Sequence, residues 1–346
     1  MTKEIKEVLT FKPSAVAREL LLAVADRARQ IMKKRYGLEA KEPLTLEAIG
    51  QGYGITRERV RQIEEFTLKA IKKSSAFAKI GDVLNELQSV MEQYGGVVHE
   101  QEFLNHVSHD QVTQNQVHFL LVLGDAFFKL RESDDLHPRW TTDDDLAKAV
   151  HASLKNLCQN LSENDLLPEN EIIAAFLKSL HSDIKPEQGE KHAKNWLKLS
   201  KEVGQSPIGE WGLTSSPNVR VRGIRDYAFL VMRKHGSPMH FTEVAKAISS
   251  TFNHKANPAT CHNELIKDKR FVLVGRGMYA LAEWGYTQGI VRDVIRQVLK
   301  KQGPLTQADV ITQVMKERYV KPNTVLVNLK NPKHFKKTKD GKYVIV

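Results

Sequence analysis

Cysteine is scarce in this chain of 346 residues, and so are long apolar runs. The two cysteines, Cys158 and Cys261, are too few for a disulfide framework or a cysteine-rich zinc site. No apolar run approaches the ~18 residues that a membrane span needs. The N-terminus lacks the apolar core and cleavage site of a secretory signal. We therefore expect a cytoplasmic chain that does not contact a membrane.

Catalytic and metal-binding patterns are also missing. The 13 histidines form no H-E-x-x-H pattern and have no cysteine at zinc spacing. No Ser-His-Asp or paired-carboxylate arrangement is evident. The acidic run 143–145 follows two threonines and is more typical of a helix start than of a metal site. We expect no enzyme activity, no cofactor, no metal site and no small-molecule substrate.

The net charge of +11 is distributed in three blocks. Residues 1–80 carry 17 Lys and Arg against 10 Asp and Glu, and residues 213–346 carry 24 against 9. The middle, residues 81–212, carries 11 against 22. Basic segments attract phosphate backbones at long range, whereas an acidic segment suits a basic protein surface. A merely solvated charged face would account for one block, but it explains the alternation less well.

The last block contains an internal repeat. The first copy, residues 258–279, reads PATCHNELIKDKRFVLVGRGMY, and the second copy, residues 322–343, reads PNTVLVNLKNPKHFKKTKDGKY. Each copy predicts a helix capped by its Thr, a basic turn and two strands bent around a Gly, and two helices precede each copy. Three helices followed by a hairpin indicate a winged helix. The aromatic residues predicted to form the hairpin cores are Phe271, Tyr279, Phe335 and Tyr343.

Basic residues surround both predicted hairpins. A wing rests on phosphates and adds affinity that falls with salt, without adding sequence choice. A face of lysines that only aids solubility is the alternative. The candidate phosphate contacts are Lys267, Lys269, Arg270, Arg276, Lys336, Lys337 and Lys339.

Residues 44–63, LTLEAIGQGYGITRERVRQI, have the spacing of a helix-turn-helix. Gly50 and Gly54 fall where the helices approach and turn, and Val60 and Ile63 fall on the buried side of the second helix. Thr56 can cap that helix. Its outer side holds Arg, Glu and Gln, which can pair with guanine, cytosine and adenine in the major groove. A helical hairpin with a merely hydrated charged face is the alternative.

A longer stretch, RARQIMKKRYGLEAKEPLTLEAIGQGYGITRERVRQIEEFTLKAI, resembles region 4 of the major sigma-factor family of bacterial RNA polymerase over about residues 27–73. The resemblance implies that Arg57, Glu58 and Gln62 read the upstream promoter hexamer. It also implies that Thr56, Arg59 and Arg61 hold phosphates or flanking bases, and that the helix around 27–35 docks on the polymerase flap.

The sequence departs from that family in one respect. The family also carries an upstream module that melts promoter DNA with clustered aromatic residues. The residues before the match hold no such cluster. We therefore expect that this chain is not a complete sigma factor.

A second stretch, GSPMHFTEVAKAI…TCHNELIKDKRFVLVGRGMYALAEWGY, is similar to the HARE-type winged helix over about residues 222–286. That domain also occurs in the delta subunit of bacterial RNA polymerase. The resemblance implies a role at DNA or at RNA polymerase.

The predicted fold class is mainly α, with a helix-turn-helix domain followed by tandem winged-helix (α+β) domains. The expected domains are a region 4-like domain at 1–75, two acidic, degenerate winged helices at 76–142 and 143–215, a HARE-type winged helix at 216–286 and a basic winged helix at 287–346.

The expected function is that of a sigma-like or delta-like accessory regulator. It would read double-stranded promoter DNA at a −35-type element and associate with core RNA polymerase. One alternative is a structural polymerase-associated subunit that does not read sequence. A weaker alternative is a component of a DNA-processing system.

Overall fold

Helices form most of the structure, a computed structural model that describes residues 8–180, 186–286 and 289–346. The mainly helical fold class predicted from the sequence is confirmed. Residues 1–7, 181–185 and 287–288, which belong to three of the expected domains, lie outside the described residues. No described helix is both long and apolar enough to cross a bilayer.

The chain divides into two compact units, Met1–Gly204 and Gln205–Val346. In the first unit the elements run α1 (Pro13–Leu22), α2 (Asp26–Tyr36), α3 (Leu46–Tyr53), α4 (Arg57–Lys72), α5 (Ser75–Ala78), α6 (Gly81–Tyr94), β1 (Val97–His99), α7 (Glu100–Val107), α8 (Gln111–Leu123), β2 (Phe128–Leu130), β3 (Arg139–Thr141), α9 (Asp144–Asn160), α10 (Glu169–Lys178) and α11 (Pro186–Leu197). The division falls within β4 (Val203–Gln205), which pairs with β5 (Trp211–Leu213).

The second unit continues with α12 (Ile224–His235), β6 (Met239–His240), α13 (Phe241–Phe252), α14 (Pro258–Lys267), β7 (Phe271–Leu273), β8 (Met278–Leu281), a 3₁₀ turn (Ala282–Trp284), α15 (Val291–Gln302), α16 (Gln307–Glu317), α17 (Pro322–Leu329), β9 (Phe335–Lys337) and β10 (Tyr343–Ile345). The aromatic residues predicted to form the hairpin cores are buried, namely Phe271, Tyr279, Phe335 and Tyr343.

A tight turn joins α3 to α4. The Thr45 hydroxyl caps α3 by accepting the Ala48 N–H, and the Thr56 hydroxyl caps α4 by accepting the Arg59 N–H at 3.2 Å. Gly54 ends α3 in the left-handed region at φ +67°, which any residue with a Cβ adopts only at a cost. The turn predicted at this glycine is confirmed.

A close backbone approach holds the two helices against each other. An ideal Cβ on Gly50 would lie 2.6 Å from the Ile55 carbonyl oxygen, so only glycine fits. Behind the turn, Ile31, Ile49 and Val60 form a small core with at most 1% exposure. The helix-turn-helix predicted from this spacing is confirmed.

One hydrophobic core extends across the domain boundary expected at residue 75. Leu20 and Leu21 of α1 and Met32 of α2 belong to the same buried cluster as Leu87 and Phe119 from the acidic segment. The small core behind the turn is too limited to stabilise the first helices on its own. The expected boundary is therefore not a break in packing, and the division into separately folding domains stays a prediction.

Two amide side chains of α8 hold the loop between α2 and α3. Asn115 Nδ2 lies 3.1 Å from each of three carbonyl oxygens in the loop 37–41. Gln116 Nε2 donates to a fourth carbonyl at 2.8 Å. Buried backbone carbonyls need such partners, so these amides fix the loop that leads into α3.

The same element order occurs in both units. In the first unit α6, β1, α7, α8, β2 and β3 form a helix–strand–helix–helix–strand–strand unit whose antiparallel sheet has the order β1-β3-β2. In the second unit α12, β6, α13, α14, β7 and β8 repeat it with the order β6-β8-β7. Three helices and a hairpin also follow each other in α9–α11 with β4 and β5, and in α15–α17 with β9 and β10.

The helix caps in the two sequence copies differ from the prediction. Asn257, not Thr260, caps α14 with its side chain, and Lys321 precedes α17 without a side-chain cap. Pro258 and Pro322 occupy the first helical positions. Because proline lacks an N–H and has φ preset for a helix, it starts each helix and places the threonine inside the first turn.

The turn yields a prediction with an internal control. Gly50→Ala should lower the free energy of unfolding by about 1–3 kcal/mol, because the new methyl group displaces the Ile55 carbonyl. Gly52→Ala, in the same helix, meets nothing within 4 Å and should raise stability by about 0.5–1 kcal/mol. Urea unfolding measures both, and equal effects would contradict the close approach.

The amide contact to the loop yields a second prediction. Asn115→Leu should lower the free energy of unfolding by about 2–3 kcal/mol, because it leaves buried loop carbonyls without a donor. Asn156→Leu, at an exposed position of α9, should change stability by less than about 0.5 kcal/mol. Urea unfolding compares the two variants, and a neutral Asn115→Leu would show that the loop is held by other contacts.

Candidate nucleic-acid interface

The first two turns of α4 expose a row of polar side chains. We call this the reading face, and it consists of Arg57, Glu58, Arg59, Arg61 and Gln62, all exposed. Val60 lies on the opposite side of the helix and is completely buried. The structure thus brings together the residues predicted to contact DNA, on a helix whose apolar side is fixed in place.

Four of these five side chains hydrogen-bond to one another. Arg61 forms a two-bond ion pair with Glu58, at 3.0 Å from Nε and 2.8 Å from Nη2. Arg59 Nη1 donates to Gln62 Oε1 at 3.1 Å. Arg57 has no hydrogen bond or ion pair within the described part of the chain. Exposed pairs of this kind add little to stability, so a ligand can replace them at small cost.

Glu58 is an acceptor among basic neighbours. The hydrogen bonds from Arg61 hold the pKa of the Glu58 carboxyl below its ordinary value. Glu58 is therefore ionised at neutral pH and accepts hydrogen bonds only. On a surface that only held phosphates, such a carboxylate would repel the ligand. Toward an amino group at a base edge it is a suitable partner.

A polar contact behind the reading face connects α4 to α2. Arg35 Nε lies 3.2 Å from a carboxylate oxygen of Glu64, whose side chain is 14% exposed. The Tyr36 hydroxyl also bonds to Glu64, and burial raises the pKa of Tyr36 well above its ordinary range. The pairing of Arg35 with Glu64 was not predicted, because residues 29 positions apart carry no short-range signal of pairing.

Further basic groups lie on the outer side of α2. The Arg27 guanidinium and the Lys34 ammonium lie 5.9 Å and 4.9 Å from the centre of the Tyr53 ring. Such cation–π contacts hold long basic side chains over α3. The apolar side chains of α2, Ile31 and Met32, are completely buried. The outer side of α2 is therefore polar and positive.

Phe66 lies further along α4, and its exposure was not foreseen from the sequence. The residue is 75% exposed, the largest value among the large exposed apolar residues of the described chain. Lys69 and Lys73 follow it on the same side of the helix and are also exposed. An aromatic ring is thus exposed to water beside two basic groups.

The basic residues of the first copy are not equivalent. Lys267, Lys269 and Arg276 are exposed. Arg270 is not available. Its guanidinium donates to Asp226 Oδ1 at 2.7 Å, to Asp268 Oδ2 at 2.6 Å and to Asn218 Oδ1 at 2.7 Å.

The interpretation of Arg270 as a wing contact is therefore wrong. The Asp226 side chain is only 1% exposed, and a buried carboxylate needs a charged partner. Arg270 supplies it, and these carboxylates raise the pKa of the guanidinium despite the opposing effect of burial. No short-range pattern indicates this pair, because Asp226 lies 44 residues before Arg270.

The lysines of the second copy are all exposed. Lys336 and Lys337 lie on β9, and Lys339 lies in the turn that leads to β10. None of the three forms an ion pair with another described residue.

Neither cysteine nor the acidic run shows features of a reactive or metal-binding site. The pKa of Cys158 and that of Cys261 are raised to about 11, mainly by burial. Both thiols are therefore protonated at neutral pH. Asp143 caps α9 by accepting the N–H groups of Asp145 and Leu146, as the sequence predicts. Within residues 8–180, 186–286 and 289–346, no three His, Cys, Asp or Glu side chains are grouped as metal ligands.

Comparison with known proteins identifies the first helices. Residues 20–73 match the family described as "Sigma-70, region 4". The RNA polymerase principal sigma factor HrdD of Streptomyces griseus is 40% identical over 68 residues, which are 20% of this chain and 20% of that protein. The match thus assigns residues 20–73 to a sigma-70 region 4 domain. The chain spans about a fifth of the length of this relative.

The Arg270 network yields a prediction. Arg270→Met should lower the free energy of unfolding by about 3–5 kcal/mol, because Asp226 stays buried without its partner. Lys269→Met, next to it but exposed, should change stability by less than about 0.5 kcal/mol. Urea unfolding compares them. A stable Arg270→Met variant with weakened DNA binding would restore the original interpretation.

Proposed function

We propose that the chain is a sigma-like accessory factor that reads promoter DNA through the reading face. The observation that carries this proposal is the joint exposure of Arg57, Glu58 and Gln62 on the first two turns of α4. Val60, on the opposite side, anchors the helix in its core. In a helix-turn-helix, these turns of the second helix meet base edges in the major groove.

Each side chain of the reading face has a role that suits its chemistry. Arg57, which has no partner of its own among described residues, donates two hydrogen bonds to guanine O6 and N7. Glu58 accepts from cytosine N4, and Gln62 pairs with adenine. Arg59 and Arg61 exchange their bonds within the protein for phosphates or flanking bases. Thr56 stays the cap of α4 and lies beside the backbone.

We propose further that the chain associates with RNA polymerase. The support is the likeness of residues 20–73 to region 4 of a protein named as an RNA polymerase principal sigma factor. Since the apolar side chains of α2 are buried, a contact of the helix at 27–35 with the polymerase flap would use Arg27 and Lys34. Phe66 offers the same partner an apolar contact outside the reading face.

The runner-up is a polymerase-associated subunit whose helix-turn-helix only docks. The internal pairing of Glu58 with Arg61 and of Arg59 with Gln62 is compatible with it, because these pairs persist where no base replaces them. The two functions differ in one measurable property, which is whether substitutions on the reading face change the DNA sequences that are bound.

The test is selection of bound duplexes from a randomised pool by the full chain. Arg57→Ala and Gln62→Ala should each relax the preference at one or two base positions. Each should weaken binding to the selected duplex by about 1–3 kcal/mol, or roughly 5- to 150-fold, with much smaller loss on random duplex.

The matched controls are Arg18→Ala and Gln51→Ala, which remove the same groups at exposed positions outside the reading face. They should leave the selected sequences unchanged. If the parent chain selects no sequence, or if the reading-face variants select the same sequence as the parent, base reading is wrong and the docking subunit is favoured.

A further inference from the structure

The hairpins of the two copies have different surroundings. The first wing is the turn 274–277 between β7 and β8, and the second wing is the turn 338–342 between β9 and β10. In sequence the two are equivalent, at the constant offset of 64 residues. In the structure one wing is covered by protein and the other is open.

The first wing is packed against the second copy's domain. The Tyr319 N–H, from the segment between α16 and α17, donates to the Val274 carbonyl at 2.8 Å. An ideal Cβ on Gly275 would lie 2.7 Å from the Tyr319 carbonyl oxygen, and one on Gly277 would lie 2.5 Å from His240 Nε2. Protein therefore packs against this turn, and Arg276 is its one exposed residue among 274–277.

The base of the first wing is also engaged. Arg270 is held by Asp226 and Asp268, as described above. Lys267 lies 3.8 Å from Glu264, a carboxylate on the same helix. Two of the four basic residues predicted in the first copy therefore lie beside carboxylates.

The second wing is open and its shape is fixed by its own bonds. The Thr338 N–H donates to the Lys342 carbonyl at 2.7 Å, and the Lys342 N–H donates to Thr338 Oγ1 at 3.2 Å. An ideal Cβ on Gly341 would meet no atom within 4 Å. The side chains of Phe335 in β9 and Tyr343 in β10 are buried in one core and anchor the two strands.

The charge around the second wing is almost all of one sign. Six lysines and a single acidic residue, Asp340, occur in residues 330–342. No Asp or Glu occurs between Glu317 and Asp340. The six side chains are exposed and form no ion pair among described residues; they are Lys330, Lys333, Lys336, Lys337, Lys339 and Lys342.

Helix α17 adds an exposed outer side next to the second wing. Asn323, Thr324 and Val327 are exposed at helical spacing, and Val327 is 67% exposed. Val325 and Leu329 face inward and share one core with Phe335 of the hairpin. The helix and the second wing are therefore held rigidly with respect to each other.

We propose that this surface, made of the second wing and the outer side of α17, is a second DNA-binding site that holds the phosphates of duplex DNA. The first copy supports this site structurally, because the first wing packs against Tyr319. Because the phosphate contact is independent of base sequence, it increases the affinity of the chain for DNA. It does not change which promoter sequence the reading face prefers.

The form of the surface favours duplex over single-stranded nucleic acid. Proteins that hold single strands stack bases on exposed aromatic rings. Here Phe335 and Tyr343 are buried, and His334 is half-buried beside Arg292. An exposed helix beside an extended lysine-rich hairpin matches a groove and its flanking phosphates instead.

The experiment uses the full chain and two charge-matched triple variants. K336E/K337E/K339E reverses three cations at the second wing, and K267E/K269E/R276E reverses three exposed cations of the first copy. Affinity for a duplex without a promoter sequence is measured over a range of salt. The first variant should flatten the slope of log K against log salt by about 2.7, or about 0.9 per lost phosphate contact.

The first-copy variant should keep the parent slope, although it has lost the same net charge. Thermal unfolding reports on folding, and K336Q/K337Q/K339Q repeats the test with a smaller change. Equal flattening in both triple variants would show a general charge effect, and an unchanged slope in the second-wing variants would show no phosphate contact. Either result overturns the proposal.

A further arm distinguishes this proposal from the one for the reading face. The second-wing variant should select the same promoter sequence as the parent, whereas Arg57→Ala changes the selected sequence and keeps most of the salt slope. If K336E/K337E/K339E binds duplex normally and loses co-purification with RNA polymerase, the lysines contact an acidic protein and the DNA site is wrong. If Arg57→Ala is the only variant that loses sequence selection, the result concerns the reading face and does not contradict the second site.

Discussion

The approach of the Gly50 backbone to the Ile55 carbonyl sets the angle between α3 and α4. That angle buries Val60 on one side of α4 and leaves the reading face exposed on the opposite side. A larger residue at position 50 would move α4 and change both surfaces together. The geometry of the reading face therefore depends on a contact that lies outside that face.

The polar residues that face solvent and those that are buried have different tasks. Glu58 and Arg61 form an exposed pair that a ligand can replace, whereas Asp226 and Arg270 form a pair whose separation is costly. The same residue types thus form a replaceable pair at the surface and a stabilising pair in the interior. Burial, not identity, decides which of the two tasks a charged side chain has.

Short-range patterns were sufficient to predict the helix-turn-helix. Gly54, Thr56 and Val60 lie within a few residues of each other, so local rules of turn, cap and periodicity apply. The contacts of Asn115 with a loop 74–78 residues away, and of Arg270 with Asp226, depend on how distant elements pack. No local pattern encodes them, which is why Arg270 was assigned to the wrong role and the core across residue 75 was missed.

The amide of Asn115 recognises the loop 37–41 through main-chain oxygens, so it is indifferent to the side chains carried there. Glu39, Ala40 and Lys41 point to solvent, and natural variation at these three places should be well tolerated. Gly37 is the exception, since a methyl group there would lie 2.6 Å from the Asn115 nitrogen. Among related chains that keep this asparagine, the loop should drift freely in composition while its first glycine is retained.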